Sequence, residues 1–80
     1  MGSRFIPLNM LPLGSFGIVR DLTAPGIVRR RMLDLGLIGD TKVEAVAKSP
    51  SGDPTAYQIR GAVIALRSEE ASQIIVEMIC

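Results

Sequence analysis

The sequence has no histidine and no tryptophan, and its one cysteine, Cys80, is the last residue. Without histidine, the commonest general base and transition-metal ligand is missing. A lone cysteine, expected as a free C-terminal thiol, excludes an intrachain disulfide or thiolate cluster. The aromatic residues are only Phe5, Phe16 and Tyr57. Modules that grip proline-rich peptides or single-stranded nucleic acid use aromatic platforms, so that mode of recognition is not expected. Charge of either sign is nearly cancelled, with nine Lys/Arg against eight Asp/Glu and a net charge of +1. No global field steers the chain toward nucleic acid or an anionic membrane. The longest strictly apolar run, Ala62 to Leu66, is far short of the roughly 18 residues of a membrane span. Pro7, Asn9 and Pro12 interrupt any signal-peptide core, and a cytoplasmic location is expected.

What remains is the composition of a small folded domain. The chain has 80 residues, of which 48% are hydrophobic and 21% charged. That is enough for one domain spanning 1–80 and too little for a deep catalytic pocket.

Pro7 and Pro12 forbid a regular helix at the start. Leu11 to Gly14 reads as a turn leading into a strand over Phe16 to Leu22. Gly17 within it marks a bulge or a close backbone approach. Thr23 or Ala24 caps a helix, with Pro25 in its first turn and Gly36 as its stop. Val28, Met32 and Leu35 fall on one face as its core stripe. Thr41 to Lys48 alternates as a half-buried strand, broken only at Val46. A loop of turn formers over 49–54 leads to a strand from Thr55 to Arg60, and Gly61 marks a tight hairpin. Ala62 to Arg67, apolar on both faces, reads as a central strand. Ser68 caps a second short helix with Glu69 and Glu70 in its first turn and Ala71, Ile74 and Ile75 on its apolar side. Val76 to Ile79 makes a last short strand. About five short strands with no room for a second sheet predict a mainly β fold. A small bent barrel, with one helix after the first strand and another before the last, is expected. Closing it removes exposed edges.

The run from Arg29 to Ile38 (RRRMLDLGLI), then Gly39 to Glu44 (GDTKVE), resembles the signature of the ferrous iron transport protein A family, FeoA. The loop Ser49 to Pro54, the stretch Ile64 to Arg67 with Ala71, and Leu11 to Gly14 followed by Gly17 to Val19 fit it in order. The resemblance covers about residues 8–77. It implies an SH3-like β-barrel with a helical insertion after the first strand. It also implies a cytosolic accessory to bacterial ferrous iron uptake, whose partner is the membrane iron permease with its cytosolic GTP-binding domain. A similar barrel forms the C-terminal domain of iron-dependent repressors related to the diphtheria toxin repressor. The alternative reading is therefore a metal-responsive sensor module.

The residues themselves show little chemistry for metal or catalysis. The carboxylates Asp21, Asp34, Asp40, Glu44, Asp53, Glu69, Glu70 and Glu77 are scattered, mostly beside Arg or Lys. Glu69 and Glu70 are expected to complement the dipole of their helix. No metal site and no cofactor are expected, with weak ferrous iron binding left open. No phosphate loop or activated nucleophile can be assembled, so the chain is not expected to be an enzyme.

Arg29, Arg30 and Arg31 are the one dense charge feature. They can form a solvated face with weak Arg30–Asp34 and Arg31–Asp34 pairs, worth a few tenths of a kcal/mol. Alternatively, Leu33 beside Arg29, off the core stripe, makes a mixed basic and apolar patch suited to an interface. A third possibility buries Leu33 against the N-terminal segment. Arg29, Arg30, Arg31 and Leu33 are the candidate partner interface. No nucleic acid is expected there.

Overall fold

Alternation of large inward and polar outward residues builds the middle of the molecule. The computed structural model describes residues 4–79, so Cys80 lies outside the described residues. Strands β1 (Arg4–Pro7), β2 (Phe16–Leu22), β3 (Lys42–Lys48), β4 (Thr55–Ile59), β5 (Ala62–Leu66) and β6 (Ile74–Met78) form one antiparallel sheet, in the order β1-β6-β2-β3-β4-β5. Helix α1 (Gly26–Asp34) joins β2 to β3, and the single turn α2 (Ser68–Ala71) joins β5 to β6. The sheet curls around a core that includes Val19, Val43, Tyr57, Ile59, Ile74 and Val76.

Val43 pairs with Ile59 and Ala45 with Tyr57, placing four inward residues together. The register then shifts between Ala45 and Ala47. Val46 is the extra residue of this bulge, which explains why it breaks the alternation and stays exposed. A second shift lies between Val19 and Asp21, at Arg20. Gly17 is a close approach, not a bulge: a Cβ there would meet Val76 Cγ2 at 3.0 Å.

Several expectations are corrected. The N-terminal segment contributes a sixth strand, β1. Pro7 ends it, and an edge strand tolerates a missing amide. β5 is at the opposite edge, not central, although it is apolar on both faces. The order leaves β1 and β5 as ends, so edges remain. Between them, the short 3-10 turn Leu8–Met10 packs on α2, and the Tyr57 hydroxyl reaches the Leu8 carbonyl at 3.4 Å.

The helix boundaries also move. Pro25 occupies the position before α1, because Thr23 is engaged elsewhere: its amide and hydroxyl both donate to the Gln73 carbonyl, at 2.7 and 2.9 Å. The predicted stop at Gly36 holds. Its φ is +97°, and Leu37 and Gly36 donate to the Met32 and Leu33 carbonyls in a Schellman closure. Ser68 is the first residue of α2, not its cap. Its amide donates to Asp53 Oδ1 at 2.8 Å, and the Arg67 amide to Glu70 Oε1 at 3.1 Å. Ile74 and Ile75 belong to β6, which starts earlier than predicted.

Candidate functional site

The arginine helix has just over two turns, and Met32 alone anchors it fully, at 2% exposure. Val28 was expected beside it in the core but is 38% exposed. It faces a groove of about 430 Å³ between α1 and α2, shared with Arg31, Arg67 and Glu69. Leu35 is half-buried.

The three arginines have separate roles. Arg29 turns back, and its Nη1 donates to the Leu22 carbonyl at 2.5 Å. This ties α1 to the end of β2. Arg31 pairs with Glu70 of α2, not with Asp34. That salt bridge joins the two helices across 39 residues of sequence, a distance no local spacing rule can see. Arg30 points to solvent, and among the described residues no hydrogen bond or ion pair engages its guanidinium.

Leu33 is 39% exposed, so it is not wedged under the N-terminal segment. With Arg29 it borders a small cavity of about 150 Å³ that reaches Val19 and Leu22. Ile27, which the sequence reading omitted, is 87% exposed. Ile27, Arg30 and Leu33 follow one another at three-residue spacing, so they form one solvent-side ridge. The signal for Ile27 was present: it lies about 140° from Met32 on the helical wheel. The ridge is a large aliphatic, a guanidinium and a second aliphatic, the kind of surface that anchors protein interfaces.

A second feature lies on the sheet's outer face. Phe16, Ile38, Lys42, Glu44, Gln58 and Arg60 line an open groove of about 530 Å³. The Lys42 ammonium sits 4.4 Å from the centroid of the Phe16 ring, a cation–π contact. At its margin Asp40 pairs with Arg20, which also holds Glu77 at 2.8 Å. Opposite charges are thus interleaved along the groove.

Glu70 accepts from Arg31 and from the Arg67 amide, so its role is to join α1 to α2. Among the described residues no three His, Cys, Asp or Glu side chains gather into a metal-binding group. No helix there is long and apolar enough to cross a membrane. Burial raises the Tyr57 phenol above its usual range, Asp53 adds to this, and a bond to Thr55 opposes it. Tyr57 lies in the core, away from both surface features.

A curled six-stranded antiparallel sheet with a helix between its second and third strands is an SH3-like domain, and its distinctive surface is a helix ridge. A family model described as the FeoA domain matches residues 6–78, and the chain belongs to that family. An FeoA-like protein from Clostridium acetobutylicum is 34% identical, with a TM-score of 0.88 over 100% of this chain and 92% of that one. FeoA of Stenotrophomonas maltophilia, described as an SH3 domain protein and solved in complex with zinc, is 32% identical. Its TM-score is 0.73 over 95% of this chain and 89% of that one. A manganese-dependent transcriptional repressor shares the fold, with a TM-score of 0.85 at 20% identity over 99% of this chain and 44% of that one. The Fe(2+) transport protein A/Fe(2+) transporter FeoB fusion protein of Porphyromonas gingivalis is 31% identical over 72 residues. The match takes in 90% of this chain but only 8% of that protein.

Proposed function

We infer that this chain is a non-enzymatic accessory of ferrous iron uptake in the cytoplasm. It acts by docking on the membrane iron permease and its GTP-binding domain. The observation that carries this reading is the Porphyromonas gingivalis relative, in which a matching domain is joined to an Fe(2+) transporter in one polypeptide. Domains fused in one chain are held at high effective concentration, and separate chains need a surface to replace the tether. The ridge of Ile27, Arg30 and Leu33 is that surface, and its charge suits an acidic face on the permease. Arg29 and Arg31 support it from behind, as tethers to Leu22 and Glu70.

Co-purification tests the reading. Immobilised wild-type chain retains the detergent-solubilised permease, and Arg30→Glu retains much less while keeping its far-UV circular dichroism. Equal retention by the two proteins refutes the ridge as the docking surface. No retention by either refutes the partnership.

The metal-sensor reading is favoured by one observation, the zinc complex of the Stenotrophomonas maltophilia relative. The donor set here is carboxylates dispersed among arginines and lysines, which suits weak cation contact more than a tight site. Competition for ferrous iron with a fluorescent chelator separates the readings. Micromolar affinity of the isolated chain supports the sensor.

A further inference from the structure

β5 has the composition of a central strand but lies at the end of the sheet. Its residues Ala62 to Leu66 include no charge and no proline, and its ladder to β4 runs without a bulge. Natural edge strands are ordinarily blunted by such devices, because their open amides and carbonyls template another strand. Val63 is 63% exposed, and Ala62 and Ala65 are exposed beside it.

The register identifies the open groups. Arg60 and Gly61 have φ of 51° and 84°, which makes their two-residue connection a type I′ turn. Its closing pair, Ile59 and Ala62, is hydrogen-bonded, and bonded and non-bonded pairs alternate from there. Ile64 therefore bonds back to Tyr57, whereas Val63 and Ala65 face Gln58 and Ala56 in non-bonded pairs. The backbone N–H and C=O of Val63 and Ala65 aim at the open edge.

The geometry points to a second copy of this chain as the occupant of that edge, its β5 antiparallel to this one about a two-fold axis at Ile64. In that register Val63 of each copy exchanges two hydrogen bonds with Ala65 of the other. Ala62 meets Leu66 and Val63 meets Ala65, so a smaller residue faces a larger one on either side of the central Ile64–Ile64 pair. A two-fold interface needs a self-complementary strand, and an uncharged one avoids like-charge repulsion across the ladder. At the flanks, pairing Ala62 with Leu66 brings the turn that carries Arg60 of each copy beside the start of α2 of the other, where Arg67 and Glu69 lie. Among the described residues neither the Arg60 nor the Glu69 side chain has an ion pair within its own chain, so the two-fold supplies a partner for each. The α1 ridge takes no part in this pairing.

Sedimentation velocity on the full chain, from about 10 μM to about 1 mM, reads the equilibrium directly. A monomer–dimer transition is expected within that range. Ala65→Pro removes one outward amide without touching a bond to β4, and Val63→Lys places like charges along the edge. Each raises the dissociation constant by roughly tenfold or more. Amide exchange on the wild type gives a readout that needs no variant. Val63 and Ala65 become protected as concentration rises, while Ile64 is protected throughout. A monomer at every concentration overturns the pairing. So does a dimer in which the Val63 and Ala65 amides exchange as fast as in the monomer. Protection that appears only when the permease's cytosolic portion is added also overturns it, and gives the edge to a strand of that partner.

Discussion

β4 and α1 use large apolar residues to opposite ends. In β4, Tyr57 and Ile59 point inward from a ladder bonded on both sides, and both are buried. In α1, one methionine is buried, and Ile27 and Leu33 are displayed. β4 is held by packing. α1 is held largely by Met32, the Arg29 bond to the Leu22 carbonyl and the Arg31–Glu70 pair. An aliphatic in the sheet therefore stabilises the fold, while an aliphatic on the ridge adds little stability and is available to a partner.

The comparison breaks first where the largest effect is expected. Ile59→Ala leaves a cavity in the core and should lower unfolding free energy by about 2–5 kcal/mol, measured by urea denaturation. A loss below about 1 kcal/mol means that β4 is not the packed element described.

Tyr57 sharpens the same contrast. Tyr57→Phe removes the hydroxyl that reaches Leu8 and should cost about 0.5–1.5 kcal/mol near neutral pH. The buried phenol holds its proton more tightly when folded than unfolded. That contribution is fully present below the ordinary phenol value, about 10, and is lost as pH rises above it. Wild type should therefore lose stability faster than Tyr57→Phe between about pH 10 and pH 12. Parallel denaturation curves across that window contradict the burial of an ionisable hydroxyl.

A smaller effect is expected for the tether between helices. A double-mutant cycle on Arg31→Ala and Glu70→Ala should give a coupling of about 0.2–1 kcal/mol, falling with added salt, because the Arg31 side chain is well exposed. No coupling, or an equal coupling between Arg31 and Asp34, would place α1 differently from the structure.

Local rules read much of this fold from the sequence, and the misses have physical reasons. The strand from Phe16 to Leu22, the hairpin at Gly61 and the Gly36 stop depend on near neighbours, and all three hold. β1 was hidden because proline excludes a helix but not the end of an edge strand. Periodicity reported that β5 is apolar on both faces but could not say how many neighbours it has. At the candidate site, the helical wheel placed Leu33 off the core stripe but left open whether the N-terminal segment covers it, which only the tertiary placement decides. The uses of Arg29 and Arg31 were not legible, because their partners, Leu22 and Glu70, are set by tertiary placement.

The central claim is that this chain works through the outer face of α1. Calorimetric titration of the permease's cytosolic portion with wild type and with the double variant Ile27→Ser, Arg30→Glu tests it most directly. Both changes are at exposed positions, so the variant should unfold within about 0.5 kcal/mol of wild type. The account predicts saturable wild-type binding and an affinity at least roughly tenfold weaker for the variant. Binding of equal strength by both proteins would contradict it.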